Sequence, residues 1–203
     1  EMGWYFYALD LNLFSTIAEP ASANLENTSL QQKILNQTRI QTEMELAKQV
    51  QMRLLPQHTP ELPQLELAAQ SLPAFDVGGD YYDFILGQGN LLTFTLSDVS
   101  GKGMPAALLM TMLRTVLRGK AKEMTSAAPE ELLGLTNESL YDDFSEVDMF
   151  ATVFIGQYDY DKHILYYAND GHAPVIYRPA AGPAVLLPAD APPLGILPIS
   201  LAE

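Results

Sequence analysis

The chain has no cysteine and one tryptophan, and its 203 residues carry only 11 Lys and Arg against 25 Asp and Glu. Without cysteine there can be no disulfide, thiol catalysis or Cys-bound zinc, which is compatible with a cytoplasmic location without requiring it. The shortage of bases, at a net charge of −14, leaves no basic stripe to follow a phosphate backbone, so no nucleic-acid partner is expected. No stretch approaches the roughly 18 apolar residues that a spanning helix needs, and the N-terminus lacks the basic start and apolar core of a signal peptide. A soluble chain with no membrane insertion is expected. A P-loop is also lacking, because Ser100-Gly101-Lys102-Gly103 has neither the upstream glycine spacing nor a Ser or Thr after the lysine. What is plentiful is apolar material, 48% of residues, enough for the core of one domain plus an appendage.

Two β-rich runs, Gly78 to Ile85 and Leu91 to Asp98, flank the turn-forming cluster Gly87-Gln88-Gly89-Asn90 and are expected to pair as an antiparallel hairpin. With the turn centred on Gly89, the partners are Leu86 with Leu92, Phe84 with Phe94, Tyr82 with Leu96 and Asp80 with Asp98, all on one face because side chains alternate along a strand. Three apolar pairs thus lead to two opposed carboxylates. Such partners lie about 4.5–5.5 Å apart, and like charges there destabilise the pair unless something neutralises them. A divalent cation would do so, since hard cations take oxygen ligands. The alternative is that both aspartates simply end strands at the solvent boundary. After Asp98, the glycine-rich turn Val99-Ser100-Gly101-Lys102-Gly103 leads into Met104-Pro105-Ala106-Ala107, where Pro105 suits a first helical turn. A helix N-terminus beside the carboxylates would favour an anion such as phosphate. Metal-assisted phosphoryl chemistry is the implied class.

Gly78-Gly79-Asp80-Tyr81-Tyr82-Asp83, Asp98-Val99-Ser100-Gly101-Lys102-Gly103-Met104-Pro105-Ala106-Ala107 and Gly171-His172-Ala173-Pro174, in this order, resemble the SpoIIE/RsbU-type bacterial serine/threonine phosphatases of the metal-dependent, type-2C-like superfamily. Gln51-Met52-Arg53-Leu54-Leu55-Pro56 and Pro193-Leu194-Gly195 fit the same pattern, so that the likeness covers roughly residues 43–197. The resemblance implies an α+β fold, an α/β/β/α sandwich with a centre for two Mn²⁺ or Mg²⁺ ions at one end. It implies that Asp98 bridges the metals, that the Val99 carbonyl adds a ligand and that Asp80 holds the cluster directly or through water; Asp80 and Asp98 are the catalytic candidates. It further implies a phosphoserine or phosphothreonine protein phosphatase in bacterial signalling, acting on a phosphorylated STAS-type anti-sigma-factor antagonist. Family members carry further acids after the Pro-Leu-Gly segment, in a Thr-Asp-Gly-like motif and a final Asp-Asp strand, and neither follows Gly195 here. The expectation is a C-terminally incomplete phosphatase domain of weak activity. The rival is a catalytically impaired module of this fold that binds a signalling partner or mediates dimerisation.

Asp83 alternates onto the face opposite Asp80 and reads as structural or as supporting the site from behind. Asp170, where the family usually has Ala, reads as adjusting a turn. His172 at a strand end reads as capping backbone groups rather than as an acid catalyst, His58 and His163 as loop residues, and Met110 and Met112 as core filler.

Three regions are expected. Residues 1–24, with aromatic Trp4-Tyr5-Phe6-Tyr7 and helically spaced Leu11 to Ala18, resemble the end of a GAF-like sensor domain, or are a remnant that packs opportunistically. Residues 25–56 form a linker helix, polar and free of Gly and Pro from Glu26 to Leu55. In it Ile40, Met44, Ala47, Val50 and Leu54 recur at spacings of 4, 3, 3 and 4, either a homodimer seam or a face packed on the chain's own core. Residues 57–203 form the phosphatase domain, with the sheet starting at Leu65 to Gln70, helices at Pro105–Arg118, stopped by Gly119, and at Pro129–Phe144, and strands at Phe150–Tyr158, Ile164–Ala168 and Val175–Arg178.

Overall fold

The computed structural model describes residues 8–62, 65–72, 76–87, 90–124 and 127–198, with side chains from residue 16 onward. Trp4 to Tyr7 and the helically spaced side chains at 11–15 lie outside what is described. The chain divides into two compact units, residues 1–46 and 47–203.

The first unit is helical. Helix α1, Ala8–Leu54, continues into the second unit and carries Pro20 in its interior. The helix is one unbroken element through residue 24, although the proline removes one backbone donor. Arg39 and Glu43, one turn apart, pair at 2.9 Å in full exposure, worth only about 0.3–0.5 kcal/mol.

The second unit is built on a four-stranded antiparallel sheet in the order β1 (Asp80–Leu86), β2 (Leu91–Val99), β3 (Ala151–Asp159) and β4 (Ile164–Asp170). Helices α2 (Gly103–Glu123) and α3 (Pro129–Ser145) are inserted between β2 and β3. A short hairpin, β5 (Val175–Tyr177) with β6 (Val185–Leu187), forms a separate two-stranded sheet. The β1–β2 register is the one the sequence predicts: Leu86 opposite Leu92, Phe84 opposite Phe94, Tyr82 opposite Leu96 and Asp80 opposite Asp98.

Alternation then decides which face is covered. Tyr81, Asp83 and Ile85 of β1, and Thr93, Thr95, Ser97 and Val99 of β2, are buried. Their apolar members share one core with Leu109, Met110, Leu113 and Leu117 of α2 and Leu132, Leu133, Leu140 and Phe144 of α3. The 3–4 spacing of those helical residues is the stripe that lets a helix lie on a sheet. On the other face Phe94, Phe154 and Tyr167 stack in a row, with centroids about 6 Å apart. Met110 is fully buried and Met112 packs against the core, as core filler would.

Three expectations are corrected. Leu65 to Gln70 do not start the sheet: Leu65 makes only an isolated bridge to Leu62 and residues 66–70 have no ladder. Alternating leucines suggest a strand, but a strand without a neighbour leaves its backbone unpaired. Gly119 does not stop α2, which continues to Glu123 because Ala121 is buried in the core beyond it; that packing outweighs the roughly 1 kcal/mol helix penalty of glycine. Asp170 does not adjust a turn but ends β4 as a buried side chain, 2% exposed.

Candidate phosphoryl-transfer site

The Asp80–Asp98 pairing is the last rung of the β1–β2 ladder, and the row does not stop there. Asp98 is also the register partner of Thr152 on β3. Thr152 Oγ1 lies 2.9 Å from His172 Nδ1 and donates a longer bond, 3.4 Å, to the Asp98 carbonyl. His172 is set by its own backbone, whose N–H donates to Asn169 Oδ1 at 2.8 Å. Three strands and the segment after β4 thus place Asp80, Asp98, Thr152 and His172 side by side at one end of the sheet.

The electrostatics follow from this crowding. Partial burial, the Asp80 charge and a hydrogen bond to Asp80 raise the Asp98 carboxyl above its ordinary range, against the opposing effect of His172. Burial holds the His172 ring below its ordinary range, while Asp98 and Asp80 pull it up. Asp98, its proton affinity raised by burial and by the carboxylate opposite, forms with Asp80 a donor pair that a hard dication would satisfy in place of a proton.

The segments on either side are tightly held. Gly101 and Gly103 have φ of 91° and 68°, left-handed values that side chains with a Cβ rarely adopt. They turn the chain from β2 into α2 within four residues. Ser100 fixes this turn from below: its N–H donates to the Phe150 carbonyl at 2.8 Å, and its Oγ accepts the Phe150 N–H at 2.9 Å. The glycine-rich turn is therefore held by backbone and side-chain bonds to Phe150. On the β1 side, Gly79 is pressed against Val99: the Val99 N–H donates to the Gly79 carbonyl at 3.3 Å, and a Cβ on Gly79 would lie 2.5 Å from the Val99 oxygen. A cavity of about 140 Å³ opens between these segments, lined by Gly79, Asp80, Asp98, Gly101, Lys102 and Gly103 together with Gln51 and Met52.

The sequence-predicted residues Asp80 and Asp98 are brought together, and Val99 follows at the end of β2. Asp83 is not among them. It points into the core, where it accepts from Tyr81 Oη at 2.9 Å and the Phe84 N–H at 2.8 Å and pairs with Arg118 of α2. His163 takes no part in this constellation and lies 3.0 Å from Tyr158 Oη through its Nδ1, and His58 is exposed. Sequence reasoning missed Thr152, Asn169 and Gln51. Thr152 is visible only once the β2–β3 register is known, whereas Asn169 sits two residues before Gly171 and could have been read as its turn partner. Among the described residues no cluster of three or more His, Cys, Asp or Glu side chains with metal-holding geometry occurs.

Comparison with known proteins agrees with this architecture. Residues 88–202 match the family described as Stage II sporulation protein E (SpoIIE). The chain is 35% identical over 141 residues to phosphoserine phosphatase RsbU of Bacillus subtilis, covering 70% of this chain and 41% of that protein. It is 30% identical over 182 residues to protein IcfG of Synechocystis, covering 78% of this chain and 29% of that protein. The chain thus spans less than half the length of either relative. Among solved structures, the SiaA-PP2C domain of Pseudomonas aeruginosa superposes with a TM-score of 0.65 at 21% identity, covering 78% of this chain and 64% of that one. The RsbU and RsbW domains of Rv1364c from Mycobacterium tuberculosis give 0.53 at 28% identity, covering 64% and 36%. The fold is that of the PP2C-like phosphatases, and the chain belongs to the SpoIIE family.

Proposed function

We propose that residues 57–203 are a Mn²⁺- or Mg²⁺-dependent phosphoserine/phosphothreonine protein phosphatase domain of a bacterial signalling protein. The observation that carries this reading is the opposition of Asp80 and Asp98 at the mouth of a cavity that also receives the start of α2. The kinship with RsbU, whose name states a phosphoserine phosphatase, supports it.

Asp80, Asp98 and the Val99 carbonyl are the groups that would hold the metal. When bound, divalent ions supply Lewis-acid polarisation of the phosphoryl oxygens and acidify water at neutral pH. The chain's own residues do the rest. The two carboxylates would hold the metal from adjacent strands of one ladder. Helix α2 starts at this end of the cavity, whose lining includes Lys102 and Gly103, and its first-turn N–H groups and dipole would favour an anionic phosphoryl group there. His172, held through Thr152 and Asn169, borders the carboxylates on the side away from α2.

By analogy with the family the substrate would be a phosphorylated STAS-type anti-sigma-factor antagonist, and the site of action the cytoplasm. No helix among the described residues is long and apolar enough to cross a membrane. Helix α1 would act as the linker from a preceding sensor segment, GAF-like at residues 1–24, and as a homodimer seam: Ile40 and Val50 are 48% and 61% exposed. A second reading, a metal-poor module that binds its signalling partner without turnover, draws on the finding that among the described residues no third His, Cys, Asp or Glu joins a metal-holding cluster.

Phosphate release from a phosphoserine peptide separates these readings. Turnover that requires Mn²⁺, is abolished by chelation and is lost in Asp98→Asn supports the phosphatase; binding of the partner without metal-dependent release supports the module.

A further inference from the structure

We infer that Gln51 is a positioning residue that sets the Asp80 carboxylate by gripping the backbone of Gly78, an inference that rests on Asp80 being a metal-holding group. Gln51 lies in the last turns of α1, within the second unit, and is 8% exposed. Its Nε2 donates to the Gly78 carbonyl at 2.8 Å, and its Oε1 accepts the Gly78 N–H at 3.0 Å. One side-chain amide therefore satisfies both polar groups of one peptide residue, as a neighbouring strand would. The reversed amide would set donor against donor, so the pairing fixes the orientation of the side chain.

The grip falls where the sheet cannot supply it. The β1–β2 ladder begins at Asp80, so Gly78 has no strand partner there, and its partly buried polar groups would otherwise lack a protein partner. Gly79 next to it is pressed onto Val99 from the opposite side. Gly78 and Gly79 are thus clamped between α1 and the end of β2, and the following residue is Asp80. Two adjacent glycines leave the chain free to swing; Gln51 removes that freedom at the point where the carboxylate must be aimed. Anchoring of the helix is a separate matter. Leu55 is buried in the core and Met52 packs against it, so the final turns of α1 would stay docked without the amide.

The experiment uses the whole chain and three variants. Gln51→Met keeps the side-chain volume and removes both bonds, Gln51→Glu keeps the acceptor and loses the donor, and Leu140→Ala of α3 weakens the core alone, away from the cavity. Mn²⁺ affinity is titrated by calorimetry, amide hydrogen exchange is followed at Gly78 to Asp80, and the melting temperature is measured without metal. The expected result is a loss of Mn²⁺ affinity of roughly tenfold in Gln51→Met, at the low end of what removal of a group supporting a metal ligand costs. Exchange should be faster at Gly78, and the loss in Gln51→Glu should be smaller. Leu140→Ala should lower the melting temperature and leave the affinity of the folded protein unchanged. Wild-type affinity and wild-type exchange in a folded Gln51→Met would overturn the inference. If that variant does not fold, Gln51→Glu carries the same test. If the wild-type chain itself binds no Mn²⁺, the metal reading falls, and exchange at Gly78 alone decides whether Gln51 holds this segment: unchanged protection overturns the role, lost protection supports it.

Discussion

Arg118 of α2 reaches across the core to pair with the carboxylate of Asp83 on β1, one residue out of phase with the row that carries Asp80. Asp83 is 2% exposed, and its two oxygens also take the Tyr81 hydroxyl and the Phe84 N–H. A carboxylate this enclosed is tolerable because every lone-pair direction that matters is occupied. The same strand thus sends one aspartate to the solvent end of the site and another into the structural core.

That division predicts opposite phenotypes for the two aspartates. Asp98→Asn should cost roughly 100-fold or more in Mn²⁺ affinity, more than loss of a supporting group, with little change in melting temperature. Asp83→Asn should lower stability by about 1–3 kcal/mol and leave Mn²⁺ affinity of the folded protein within a small factor of wild type. Calorimetric titration beside thermal denaturation separates the two; equal Mn²⁺ affinity in wild type and Asp98→Asn would remove the site.

Gly79→Ala places a methyl group 2.5 Å from the Val99 oxygen. Backbone on both sides must shift, so destabilisation by about 1–3 kcal/mol is expected. Because both Asp80 and the Val99 carbonyl border the displaced segment, Mn²⁺ affinity should fall as well. Gly119→Ala, in the open helical position, should instead stabilise by roughly 0.5–1 kcal/mol. Denaturant melts of the two variants check the contrast.

Asp170 provides a pH signature away from the proposed ligands. Burial, and then the charge of Asp190, push its carboxyl up to about 7, and its Oδ1 has no hydrogen-bond partner among the described residues. Asp190 faces it while accepting the Asn169 N–H at 3.0 Å. The folded state binds the proton more tightly than the unfolded chain, so this group's contribution is fully present below about pH 4 and is lost as pH rises through 7. Asp170→Asn should therefore melt close to wild type at pH 4 and above it at pH 8. A difference in melting temperature that does not grow between those values would contradict this assignment.

For α1, Met44→Glu together with Val50→Glu should convert a homodimer to monomers, since charges would be desolvated in the seam. Light scattering on the wild-type chain and the double variant measures it. A wild type that is already monomeric assigns the stripe to contacts other than a seam.

The hairpin was legible residue by residue because its evidence is local: a glycine-rich turn between two β-rich runs sets the register, and alternation then forces Asp80 opposite Asp98. Helix α3 and strands β3 and β4 were legible within a residue or two for the same reason. Leu65 to Gln70 misled because alternation records a half-apolar segment and cannot record whether a partner strand is available. The end of α2 was misplaced because glycine is a local signal and the burial of Ala121 is not.

The sequence by itself determined the two opposed carboxylates, the glycine turn into α2 and the family to which the chain belongs, since each depends on neighbours along the chain. The tertiary structure alone decided that Thr152 and His172 complete the row, that Gln51 holds Gly78 across 27 positions, and that Asp170 is enclosed beside Asp190. Those pairings depend on which strands lie side by side and on how deeply a residue is covered, and both are set by packing of the whole unit rather than by the residues adjacent in sequence.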